Sequence, residues 1–178
     1  GFLTMGSKRI GLARIQALIE NLKRELAMGS TTFTNVAVKR NVVVLDEATY
    51  APTVAESGTI FVFAGTACTV TLPQATAGVE YTFTCNTACN TVSKISTQGP
   101  VGLAGALICT TAALNSANLA PGTSIIDSWA TSVDHFNLNG TTQGGLLGTQ
   151  VTFTAVSNMM WNVSGIKVGS GTLVTSAS

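Results

Sequence analysis

Charge is the scarcest ingredient of this chain: Asp, Glu, Lys and Arg make up 10% of its 178 residues, against about 25% in ordinary soluble domains. A surface so poor in charge associates unless an interface covers it, so self-association is expected. Aromatics supply 6%, histidine occurs once and proline four times. Long apolar runs are absent too: nothing approaches the roughly 18 consecutive residues of a membrane-spanning helix, and no membrane partner is expected. Residues 1–12 have neither a continuous apolar core nor a small-residue cleavage site, so no secretory signal is read there. Synthesis in the cytoplasm follows as the expectation, with Met5 or an upstream residue as initiator. A net charge of +1 excludes the broad basic face that nucleic-acid binding normally needs, and no direct nucleic-acid partner is expected.

The residues of common chemistries are equally thin. Cys68, Cys85, Cys89 and Cys109 are an even number, and two disulfides could be drawn in three ways. Cys68 and Cys85, however, fall on the apolar side of strand alternations, where a free thiol packs as a small hydrophobe. Cys85 and Cys89 have the spacing of half a zinc site, but no second ligand pair follows. Gly144, Gly145 and Gly148 are not followed by the Lys of a phosphate-binding loop. His135 follows Asp134, yet neighbouring strand residues point to opposite faces, and no Gly-x-Ser-x-Gly nucleophile motif occurs. Asp127 and Asp134 are the only acids after Glu80, too few for paired-carboxylate hydrolysis, and Asp127 is expected to cap a turn. No loop of alternating oxygen ligands suggests calcium. Trp129, Trp161, Phe136 and Phe153 are expected in the core, because a stacking platform for nucleic acid would interleave them with Lys or Arg. The residues therefore name no reaction, cofactor or metal, and an architectural protein is expected.

What is present is unevenly placed. Seven of the nine basic residues and four of the eight acids lie in the first 47 positions. From Ser7 to Met28 the residues Ile15, Leu18, Ile19, Leu22 and Leu26 recur at helical spacing, with Lys8, Arg9, Arg14, Lys23 and Arg24 as a basic cluster. This predicts one amphipathic, cationic helix of about five turns, with Ser7 as N-cap, Gly29 as C-terminal stop and Glu20–Arg24 as a favourable pair. Its apolar stripe must be buried on the chain's own body or against other copies. The basic residues suit a solvated face, docking on an acidic protein surface or, last in order, contact with DNA.

After Thr31 the period changes from 3.6 to 2. Val79, Tyr81, Phe83 and Cys85 alternate with Glu80, Thr82 and Thr84; Cys68–Leu72 and Gln150–Ala155 repeat the device. Further strands are predicted at Phe33–Val38, Asn41–Leu45, Thr59–Phe63, Leu103–Cys109, Val133–Leu138, Met159–Ser164 and Thr172–Thr175. Turns at Pro73, Gly78, Gly99-Pro100 and Pro121-Gly122 separate them, Ala112–Leu119 reads as a helical turn or loop, and the Gly-rich stretch 139–148 reads as a flexible or partner-ordered loop. The fold class is mainly β: an antiparallel, jelly-roll-like β-sandwich or barrel over residues 31–178, preceded by a helical arm over residues 1–30.

Two stretches add a resemblance. Met5-Gly6-Ser7-Lys8-Arg9-Ile10-Gly11-Leu12 and the helix that continues to Leu26 resemble the start of virion structural proteins of marine and cyanobacterial tailed phages. Thr69-Val70-Thr71-Leu72-Pro73-Gln74-Ala75-Thr76-Ala77-Gly78-Val79-Glu80-Tyr81-Thr82-Phe83 resembles the strand, Leu-Pro, Ala-Gly turn and Tyr-x-Phe strand unit of phage capsid decoration (cement) proteins and some tail appendages. Together they cover about a fifth of the chain. The resemblance implies a non-enzymatic, β-rich decoration protein, a homotrimer synthesised in the host cytoplasm and placed on the capsid surface of the virion. Its partner would be the major capsid protein, contacted by the arm through Lys8, Arg9, Arg14, Ile15, Leu18, Ile19, Leu22, Lys23 and Arg24. A tail-fibre or head-fibre module for host attachment is the alternative. The chain is short for a major capsid protein.

Overall fold

The computed structural model describes residues 2–27, 39–89, 91–111, 126–171 and 173–177. The chain divides into two units, Gly1–Lys39 and Arg40–Ser178, so the boundary falls nine residues beyond the expected one. In the first unit a single helix, α1, runs from Phe2 to Ala27. Ser7 is therefore inside the helix and does not cap it. Nothing from Phe2 to Met5 breaks a helix, and Gly6 costs only about 1 kcal/mol relative to Ala. The expected stop at Gly29 and the strand Phe33–Val38 lie outside the described residues.

The second unit is mainly β, in two sheets, as the period-2 pattern predicts. Its strands are β1 (Val42–Leu45), β2 (Thr49–Tyr50), β3 (Ile60–Phe63), β4 (Thr69–Thr71), β5 (Glu80–Cys85), β6 (Ser93–Ser96), β7 (Gly102–Thr111), β8 (Ile126–Val133), β9 (His135–Leu138), β10 (Gln150–Ser157) and β11 (Met160–Gly169), with a 3-10 turn at Val54–Glu56. The larger sheet has the order β1-β3-β5-β10-β11-β7-β8 and the smaller one β2-β4-β6-β9. The architecture is a two-sheet β-sandwich-like body preceded by a helix.

The direction of pairing differs from the antiparallel expectation. Five of the nine strand pairings among the described residues are parallel: β1–β3, β3–β5, β2–β4, β4–β6 and β7–β11. The cause is the route of the chain. From β1 to β6 each successive strand belongs to the other sheet, so the chain returns to a sheet only after a full circuit and lies beside its predecessor in the same direction. A hairpin within one sheet would reverse it. The register makes the winding explicit: Val43, Phe61 and Phe83 share one row, and Tyr50, Val70 and Ile95 share another. The antiparallel pairings are β5–β10 and β10–β11 in the middle of the larger sheet, and β7–β8 and β6–β9 at the edges.

This winding stacks aromatics from distant sequence positions. Tyr50, Phe61, Phe63, Tyr81, Phe83, Phe136, Phe153, Trp129 and Trp161 form one continuous chain of ring contacts, with centroids 5.3 to 6.0 Å apart. Every aromatic residue after Phe33 belongs to it. Trp161, Phe136 and Phe153 are fully buried, and Trp129 packs against the core from a partly buried position, as the sequence predicts.

Several sequence expectations need correction. Asp127 caps no turn: it lies within β8, opposite Leu107 of β7. Residues 173–176 form no strand, and only Ala177 bridges to Phe136. β2 and β6 were not anticipated, because Thr49–Tyr50 and Ser93–Ser96 are too short and too polar for period-2 reading. Ala112–Leu119 lies outside the described residues.

Candidate interaction surfaces

The arm residues divide into those whose side chains are described and those that are not. Arg14, Ile15, Leu18, Ile19, Leu22 and Lys23 are exposed on α1, whereas the side chains of Lys8, Arg9 and Arg24 lie outside the described residues. Five large apolar side chains, Leu12, Ile15, Leu18, Ile19 and Leu22, are 48% to 67% exposed, on a helix that would ordinarily bury such a stripe. Glu20 pairs with Lys23 at 3.5 Å, both well exposed. Such a surface pair contributes little, and the expected pairing of Glu20 with Arg24 lies outside the described residues.

On the second unit, the outward face of the larger sheet is a two-row mosaic. Val44, Val62, Thr84, Gln150, Ile166 and Ile108 occupy one row, which the backbone at Ile126 completes on the seventh strand, and Val42, Ile60, Thr82, Thr152, Ser164, Ala106 and Ser128 the next. Its middle is polar and internally bonded. Thr82 and Thr152 share a hydroxyl bond of 3.3 Å, and Arg40 donates through Nη2 to Thr82 Oγ1 at 2.9 Å and through Nε to the Gly58 carbonyl at 2.7 Å. Its flanks are apolar, with Val42, Val44, Ile108 and Ile166 substantially exposed. Among the described residues β1 is also an edge strand, and exposed apolar edges invite pairing or packing. No sequence window could reveal these rows, since each joins seven separate segments.

The Gly-rich stretch 139–148, expected as a flexible or partner-ordered loop, is hydrogen-bonded within itself. The Asn139 carboxamide oxygen accepts from the Thr141 and Gln143 amides at 3.0 and 2.9 Å, and its Nδ2 donates to Thr142 Oγ1 at 3.0 Å. Gly144 and Gly145 are buried and have φ of +77° and +107°, values that L side chains rarely adopt. Behind them Lys167 is fully buried, with Nζ donating to the Val174 carbonyl at 2.5 Å and to Ser176 Oγ at 3.1 Å. Ser176 in turn donates to the Gln143 carbonyl at 2.8 Å. One cation thus fastens the C-terminal segment to the loop. Sequence reasoning missed Lys167, although it stands in phase with inward-facing Trp161 and Val163.

All four cysteines are buried and stand outside any disulfide. Cys85 and Cys89 have their sulfurs 3.7 Å apart; the hydrogen bond between them pushes the Cys89 thiol down to about 7 and raises that of Cys85. Among the described residues no group of three or more His, Cys, Asp or Glu side chains could hold a metal ion. His135 Nδ1 does meet Asp134 Oδ1, at 2.5 Å. The strand-alternation argument against this contact fails because Asp134 occupies the break between β8 and β9. A cleft lined by Val44, Leu45, Asp46, Glu47, Tyr50 and Cys68 encloses about 90 Å³, well below the roughly 300–1,000 Å³ of small-molecule pockets.

Beside that cleft Glu56 closes the 3-10 turn. Its carboxylate accepts from Tyr50 Oη at 2.6 Å, the Thr53 amide at 2.7 Å and Thr53 Oγ1 at 2.9 Å. These bonds, the tyrosine's first, hold the Glu56 carboxyl below its ordinary value and push Tyr50 up to about 12. A lowered folded-state value contributes stability that is complete above the unfolded value of 4.5 and is lost as pH falls through the folded one. We therefore predict that Glu56→Gln flattens the fall in urea midpoint between about pH 5 and pH 3; an unchanged fall would refute this contribution.

Compared with known proteins, the chain matches no family model, no curated sequence and no solved structure.

Proposed function

We propose that the chain is a structural component of a tailed-phage virion: a capsid decoration protein that binds the outer surface of the major capsid shell and stabilises it without catalysing a reaction. The observation that carries this reading is the exposed apolar and basic helix on a unit separate from a charge-poor β-body. A helix that carries both an apolar stripe and a basic cluster needs a partner for each, and the resemblance of Met5–Leu26 and Thr69–Phe83 to virion proteins supplies the kind of partner for the basic cluster. The arm attaches, through Arg14, Lys23 and the flanking Lys8, Arg9 and Arg24, to the major capsid protein. The body forms the outward decoration, and three linked copies raise the avidity of each arm.

Deleting residues 1–29 is expected to abolish binding to shells lacking the protein, while circular dichroism retains the β-signal of the body. Undiminished binding would assign attachment to the β-body instead. A fibre module for host attachment is the second reading, favoured by the circuit of β1 to β6, since each added circuit extends a body along one axis. Cryo-EM of intact particles separates the two: icosahedrally placed copies on the shell support decoration, whereas copies confined to a tail or a unique vertex support the fibre.

A further inference from the structure

Five apolar residues of α1 keep a stricter spacing than a helix facing a globular core, while Ile10 and Leu18 fall outside it. Leu12, Ile15, Ile19, Leu22 and Leu26 follow one another at steps of three, four, three and four. This is the a and d pattern of a heptad: Leu12, Ile19 and Leu26 at a, Ile15 and Leu22 at d. It extends back to Met5 at a, so three heptads run from Met5 to Leu26, with Lys8 as the only polar residue on the seam. Arg9, Arg14, Lys23 and Arg24 all fall outside the a and d positions, so closing the seam buries none of them.

We propose that this seam is filled by two further copies of the same chain, with three α1 helices packed in parallel and in register as a coiled coil. Parallel packing places the same residues side by side and sends all three β-bodies off the same end, a closed symmetric arrangement. The a and d residues divide, since Leu12 with Ile15 favours more than two strands and Ile19 with Leu22 favours two, and the flank of the seam decides for three. Leu18, at g and 67% exposed, lies on the flank that a third helix covers. The five exposed apolar side chains offer on the order of 100 Å² each, so three helices bring together on the order of 1,500 Å², above the roughly 1,000 Å² of a specific association. The inference deepens the proposed function and rests on it for one point only: the outward basic residues face the shell while the apolar seam holds the copies together.

Light scattering coupled to size-exclusion chromatography of the full chain, without shells, tests this. The wild type is expected at three times 18.2 kDa. Ile15→Asp with Ile19→Asp, which sets like charges on the seam, is expected to reduce the mass threefold. Ala13→Asp with Ala17→Asp, at outer positions b and f of the same helix, controls for the effect of Asp on helix formation and is expected to keep the trimer. A monomeric wild type, a seam variant that stays trimeric, or equal dissociation of both variants would each overturn the proposal. A seam-dependent trimer that is absent from the shell of intact particles would instead overturn the proposed function alone.

Discussion

Replacing Phe83 with alanine is expected to lower the unfolding free energy by about 3–5 kcal/mol, among the largest effects available to a single truncation in this protein. Phe83 is fully buried in β5. It stacks on Phe61 at 5.3 Å, contacts Phe63 at 6.0 Å and meets Phe153 edge-on at 5.5 Å. It therefore joins the parallel circuit of β1, β3 and β5 to the antiparallel β10. Truncation forfeits the transfer energy of the ring, leaves a cavity and removes three ring contacts, each worth roughly 0.5–1.5 kcal/mol beyond area. A domain of this size has about 5–15 kcal/mol in all, so about a fifth or more of its stability is at stake. Urea denaturation of the variant, beside Thr66→Ala on an exposed loop as a control within about 0.5 kcal/mol, measures it. A loss below about 1 kcal/mol would mean that the ring junction is not the centre of the core.

Gly105→Ala should be as severe by a different route. Gly105 lies in β7, where the pairing with β8 shifts register between Leu103 and Gly105 and where Val163 of β11 is its partner on the other side. A Cβ there would stand 2.0 Å from the Val163 carbonyl oxygen and 2.9 Å from its carbon. Those atoms belong to the backbone of a central strand and cannot rotate away. Relief requires moving β7 and β11 apart, with Leu103 and Trp161 on the same two strands, at a cost of at least about 3 kcal/mol, beyond ordinary overpacking. Gly58→Ala isolates the alternative cause: Gly58 has φ +87° but nothing within 4 Å of its Cβ position, so it reports strain alone, about 1–2 kcal/mol. Soluble yield and thermal midpoint of the two variants give the comparison. A Gly105→Ala protein as stable as Gly58→Ala would contradict the close approach of the strands.

Much of this molecule was legible in local patterns. A 3.6 period marks α1 and a 2 period marks β3, β5, β10 and β11, because side-chain direction follows from backbone geometry within one segment. The inward sets Tyr81, Phe83, Cys85 and Val151, Phe153, Ala155 follow from that alternation. The heptad spacing of α1 is likewise a property of one segment, even though its consequence lies between copies.

What a single window cannot contain is the partner of each strand. Period-2 alternation is the same for parallel and antiparallel neighbours, so the circuit that makes β1 to β6 parallel was decided only when strands from distant positions paired. The same is true of Lys167, whose buried Nζ donates to Val174 and Ser176, and of the Asp134–His135 contact, which depends on where β8 ends. Composition and periodicity, acting within a segment, determined that this chain is a helix followed by β-structure poor in charge. Pairing energy and polar satisfaction, which act across segments, decided which strands lie side by side and which residues the core encloses.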